Sequence, residues 1–142
     1  MPLNLEKAEI MTDATLKQAR RLSLPPLTVT VLDAGGHVIV AKRQDGAGIL
    51  RLDIAFGKAW GALGMGFGSR NLAERAASMP LFFTALAAAS GGRMIPVPGG
   101  VLVKEGTNIV GAVGASGATS DEDEACVVAG IEQAGFSAVT GA

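Results

Sequence analysis

GAVGASGATSDEDEACVVAG, from Gly111 to Gly130, puts an apolar strand, a small-residue turn and a helix start in direct succession. Thr119 and Glu122 stand in the T-x-x-E spacing of a capping box, and Ser120 with Asp123 nearly repeats it. Acids in a first helical turn stabilise the helix dipole by about 0.3–1 kcal/mol each when exposed. A helix is therefore expected over residues 119–134. Ala125, Ala129 and Gly130 are expected to let it lie close to a strand that is itself glycine-rich at Gly111 and Gly114. Capping and close packing account for most of the stretch. They leave Gly114-Ala115-Ser116-Gly117, which holds more small residues than a turn needs. Glycine also serves where a ligand or another backbone approaches closely, so Ser116 and Gly117 are candidate ligand-binding residues.

Working outward, GGVLVK (residues 99–104), the turn Glu105-Gly106-Thr107 and residues 108–115 form one hairpin. LTVTVLD (residues 27–33), the turn Ala34-Gly35-Gly36-His37 and VIVAKR (residues 38–43) form another. Residues 4–22 carry an amphipathic helical pattern with Asn4 as N-cap and Arg20 and Arg21 in the last turn. Residues 49–67 are helical in pattern but apolar nearly all round, which predicts burial on several sides, by the chain itself or by a neighbouring subunit. Shorter helices are expected over residues 69–77, with Ser69 as cap, and from Pro80 to Ala89. Strands in antiparallel pairs, set apart from helices, indicate an α+β fold in a single domain spanning residues 1–142.

Composition excludes several classes. Apolar residues make up 49% of the chain and charged residues 18%, which argues against disorder. With 12 basic residues against 13 acidic, no basic block and no tyrosine, nothing supports nucleic-acid binding. The single cysteine, Cys126, leaves no intrachain disulfide and no multi-cysteine metal site. The N-terminal residues are too charged for a signal peptide, and LFFTALAAA (residues 81–89) is too short to cross a bilayer. The reading is of a soluble, cytoplasmic protein with no membrane partner.

Four segments together resemble the GlcG/HbpS family, a haem-binding-protein-like family whose domain also ends some PduO-type corrinoid adenosyltransferases. They are VTVLDAGGHVIVAKRQDGAG (residues 29–48), DIAFGKAWGAL (53–63), PVPGGVLVKEG (96–106) and IVGAVGASGATSDEDEACVVAG (109–130). The resemblance implies a profilin-like fold, a central antiparallel sheet of about five strands flanked by helices. It also implies homo-oligomers, from dimers to octamers, and haem as a cofactor of some members. A haem iron needs an axial ligand such as His, Cys, Met or Tyr. This chain offers His37, Cys126 and the internal methionines Met11, Met65, Met79 and Met94, and it has no histidine in the first helix.

Three functions compete. In the first, the chain binds a small ligand, haem or another tetrapyrrole, in an apolar pocket of an oligomer. In the second, it is an enzyme, such as an isomerase, tautomerase or lyase, acting on a carboxylate or an oxidised aromatic compound. Arg43, Arg51 or Lys58 would then hold the carboxylate, with Asp53, Asp45, Lys58 or His37 as catalytic candidates. Ser116 and Gly117 would donate hydrogen bonds to a developing oxyanion. In the third, it is an accessory protein without a ligand.

Overall fold

The computed structural model describes residues 2–142. Helix α1 (Leu5–Arg21) starts at Asn4, whose side chain accepts from the Lys7 N–H at 2.8 Å. Strands β1 (Thr28–Asp33) and β2 (Val38–Arg43) form the first hairpin. Helices α2 (Arg51–Met65), α3 (Ser69–Ser78) and α4 (Pro80–Ala89) follow. Strands β3 (Gly100–Glu105) and β4 (Asn108–Ser116) form the second hairpin. Helix α5 (Ser120–Gln133) and strand β5 (Ser137–Val139) complete the chain. The five strands make one antiparallel sheet in the order β2-β1-β4-β3-β5. This is the α+β architecture the strand pairing indicated.

Alternation along the strands assigns each face its helices. Val29, Val31, Val101, Val103, Val113 and Ala115 point to one side and pack with Met11 and Leu16 of α1 and with Val127 and Ile131 of α5. Leu32, Leu102 and Ala112 point to the other and meet Ala59 and Ala62 of α2. Full burial of a large aliphatic side chain contributes about 1.5–3 kcal/mol, and both layers are built from such residues.

Helix α2 lies unusually low on the sheet because the facing positions are small. A Cβ on Gly114 would collide with the carbonyl of Ala55, and one on Gly100 with the carbonyl of Lys58. The buried residues of α2 are accordingly Ala55, Gly57, Lys58, Ala59, Gly61 and Ala62. Its larger apolar residues are left partly outside, and Leu52 and the preceding Ile49 and Leu50 are exposed. Within one chain, then, α2 is buried on one side only. Helix α4 goes further. Phe83 is its only buried residue, while Leu81 and Phe82 are exposed.

Three sequence expectations need correction, and one strand was not anticipated. The second helix is shorter than residues 49–67, because Gly66, in the left-handed conformation, ends it. Ser69 does not cap α3; its hydroxyl is buried and bridges the N–H and carbonyl of Gly100, at 2.7 and 3.1 Å. Gly130 serves α1, not the glycine-rich strand, since a Cβ there would strike the Met11 carbonyl and the Thr15 hydroxyl. Strand β5 had no signal of its own, being three residues long and held by pairing with β3.

Candidate functional site

The acids of the 121–124 run divide among three partners: Thr119, Arg70 and Lys58. Glu122 closes the capping box with Thr119. Glu124 takes both Nε and Nη2 of Arg70, at 3.0–3.1 Å, and Asp121 also receives Arg70 Nη2. These bonds, to Glu124 first and then Asp121, raise the Arg70 pKa and tie α3 to α5. Asp123 points inward. Its Oδ1 accepts from the Ala118 N–H at 2.9 Å and its Oδ2 lies 3.2 Å from Lys58 Nζ. Lys58 also donates to the Ala115 carbonyl at 2.9 Å. Only 3% of the Lys58 side chain and 1% of the Asp123 side chain reach solvent. Burial pushes the Lys58 ammonium below its usual range, and the attraction of Asp123 opposes that shift.

Arg51, Lys58 and Ser116 do come together at the end of β4. Arg51 Nη1 donates to the buried Ser116 hydroxyl at 3.0 Å, one residue from the carbonyl that Lys58 holds. The chain's own atoms occupy the surroundings. A Cβ on Gly117 would run into the Pro26 carbonyl, so the close approach anticipated there is made by the backbone before β1. The hydroxyls of Thr28 and Thr30, under α2, are buried without a hydrogen-bond partner. Asp53 is exposed on α2 while Lys58 is buried, so the two face different ways. Arg43 donates to the Ala47 carbonyl at 3.0 Å, and Asp45 shares a surface groove with Arg43 and Arg20. The arrangement at Lys58 is a clamp joining α2, β4 and the start of α5. Its electrostatic partner, Asp123, was hidden in the sequence among acids that all read as capping.

The candidate iron ligands separate by exposure. Cys126 is fully buried, and burial, with Asp123 and Glu122 nearby, pushes its thiol up to about 11. It is neutral and shielded at ordinary pH. A thiol reagent at pH 8 should leave native protein unmodified and react with one equivalent in denaturant. Rapid native reaction would contradict this burial. Met11 and Met94 are buried, whereas Met79 is exposed. His37 is exposed too, with 81% of its side chain open to solvent.

His37 is held by the turn between β1 and β2. Asp33 Oδ1 accepts from the Gly35 and His37 N–H groups, both at 2.9 Å, and lies 3.2 Å from His37 Nδ1. The His37 backbone bond is the main cause that lowers the Asp33 pKa below 3.8. With Nδ1 turned to the carboxylate, Nε2 is the free nitrogen. A carboxylate on one ring nitrogen fixes the tautomer and the orientation of the ring. The imidazole stands at a groove of about 520 Å³ whose lining includes Leu3, Ala34, Ile109 and Val110. Asp33, which the sequence reading placed at the end of a strand, is the residue that holds this turn and the His37 ring. Among the described residues, no cluster of three or more His, Cys, Asp or Glu side chains could hold a bare metal ion. No helix among them is long and apolar enough to cross a membrane.

Comparison with known proteins bears on this geometry. The PduOC:heme complex has a TM-score of 0.87 to this chain at 23% identity, covering 96% of this chain and 97% of that one. At that identity the likeness is one of fold. Protein ORFY of Klebsiella pneumoniae has a TM-score of 0.84 at 27% identity, over 93% of this chain and 90% of that one. A double mutant of HbpS from Streptomyces reticuli has a TM-score of 0.81 at 28% identity, over 93% and 86% of the two chains. The family model described as haem degrading protein HbpS-like matches residues 3–132, and the chain belongs to that HbpS-like family.

Proposed function

We infer that this protein binds a small ligand, with haem the first to test, and that His37 is the axial ligand. The observation that carries the reading is the Asp33–His37 pair. It turns the imidazole Nε2 outward at the edge of a groove with an apolar wall. Haem, were it bound, would supply an iron that the His37 imidazole would hold. Asp33 orients the ring and keeps the proton on Nδ1, while Leu3, Ile109 and Val110 offer apolar contact. Two structures similar in fold support the choice by their descriptions, one as a heme complex and one as HbpS. The alternative of acid–base catalysis has less support, because Lys58 is held by Asp123 and Asp53 faces away from it.

The exposed apolar residues Leu81 and Phe82 on α4, and Ile49 and Leu50 before α2, favour a homo-oligomer. Native mass spectrometry with haemin tests both parts. The expected spectrum is a multimer carrying one haem per subunit. A haem-free chain at saturating haemin would remove the tetrapyrrole reading, and a monomer at all concentrations would remove the oligomer.

A further inference from the structure

Helix α4 carries an apolar knob and borders an apolar hole. Its sequence, PLFFTALAAA, holds no charged residue, and Phe83 is its only buried one. Leu81 is 87% exposed and Phe82 48%. A contiguous apolar surface of this kind marks a contact with another molecule. Beside it, between α2 and α4, lies a cavity of about 200 Å³, open to solvent and lined by Trp60, Gly64, Met65, Leu86, Ala89 and Met94. An apolar space of about 150 Å³ holds a benzene ring, so this one has room for a phenyl side chain. An indole ring and thioethers are surfaces on which such a ring packs well. The chain's own Phe82 stands elsewhere, edge-on to Phe83 with 5.7 Å between ring centroids.

Spacing and charge both say what covers this surface. Phe82, Leu86 and Ala89 share one face of α4. Two copies of α4 packed antiparallel, about a two-fold axis between Ala85 and Leu86, set Phe82 of each against Ala89 of the other, at the rim of the cavity. A contact of that form is isologous, so it is made twice and closes on itself. Glu74 stands in α3 shortly before α4 begins. Arg93 follows the end of α4, its guanidinium 4.1 Å from the centroid of the Trp60 ring. Neither Glu74 nor Arg93 pairs with an opposite charge among the described residues. Antiparallel copies bring the start of one α4 to the end of the other, and so bring these two unpaired charges to the same place.

We propose that a second copy of this chain covers α4, with Phe82 of each copy in the cavity between α2 and α4 of the other and Glu74 beside Arg93 of the partner subunit. This rests on the homo-oligomer reading and names the surface and the contacts. Sedimentation velocity of the haem-free protein over a range of concentrations reads the association. Fluorescence of Trp60, the only tryptophan, reads the cavity. Phe82→Glu lies at a half-exposed position and should keep the circular dichroism spectrum of wild type. It should weaken association by roughly tenfold or more, because the anchor is lost from both halves of the contact. Its Trp60 emission should lie to the red of wild type, since water replaces the phenyl ring. Glu74→Arg and Arg93→Glu should each weaken association a few fold, and the double variant Glu74→Arg/Arg93→Glu should recover it.

Association and Trp60 emission that are both unaltered in Phe82→Glu would overturn this interface and leave the homo-oligomer reading standing. A double charge variant no better than the single ones would overturn the antiparallel register. A wild type that stays monomeric at every concentration would overturn the interface and the homo-oligomer together.

Discussion

Lys58→Met should destabilise the protein by about 3–5 kcal/mol, because it leaves the Asp123 carboxylate buried without its cation. The methionine fills most of the lysine's volume, so the loss is electrostatic and not a cavity effect. Urea denaturation followed by circular dichroism measures it. A loss below about 1 kcal/mol, the range of exposed pairs, would mean that water reaches the clamp. Asp123→Asn separates the partners. It keeps an oxygen for the Ala118 N–H but removes the attraction that offsets the burial of Lys58.

The pH dependence of that variant has a definite sign. Burial lowers the Lys58 pKa below 10.5 in the folded chain, and Asp123 opposes the shift. Without Asp123 the folded lysine gives up its proton earlier still. Between the folded pKa and 10.5 the unfolded chain then binds more protons, so stability rises with pH through that window. Asp123→Asn is expected to lose most, relative to wild type at the same pH, near neutrality and to recover as the pH approaches 10.5. A deficit that is constant with pH would place the cost elsewhere, in the capping turn before α5.

Gly114→Ala should be almost as damaging, at about 3 kcal/mol or more, despite adding one methyl group to a strand interior. The new Cβ would sit on the backbone carbonyl of Ala55 and close to Ala59, and a backbone carbonyl cannot rotate away as a side chain can. Helix α2 has to rise from the sheet, loosening the Leu32, Leu102 and Ala112 layer and drawing Arg51 from Ser116 and Lys58 from Ala115. Overpacking of this kind ordinarily costs about 1–3 kcal/mol, and the rigidity of both partners sets this case at the upper end. Gly106→Ala, in the turn between β3 and β4, makes a useful contrast. Nothing lies within 4 Å of its Cβ, and only its φ of 61° opposes the change. If Gly114→Ala lost no more stability than Gly106→Ala, the close seat of α2 would be wrong.

What the sequence disclosed and what it hid differ in range along the chain. Asn4, the Thr119–Glu122 box and both hairpin turns act over two to four residues, so their spacing alone declares them. The Lys58–Asp123 and Arg51–Ser116 contacts join residues 65 positions apart. No local pattern marks which of four adjacent acids turns inward. Helix burial was misjudged for a related reason. In residues 49–67 the count of apolar residues is high, but the sheet accepts the small ones, and Ile49, Leu50 and Leu52 remain outside. A glycine such as Gly130 shows that something comes close and does not show what. His37 was legible as one candidate ligand beside Cys126 and the internal methionines. Its orientation by Asp33 follows from the turn geometry, which the Asp-Ala-Gly-Gly-His order permits but does not declare.

A haemin titration followed by absorbance, run in parallel on wild type and His37→Ala, decides whether His37 holds haem. His37 is exposed and its ring packs into no core, so the variant keeps the fold. Wild type should show a saturable Soret shift at one haem per subunit, and His37→Ala should lose it. A featureless drift in wild type, or the same saturable shift in both proteins, would contradict that role for His37.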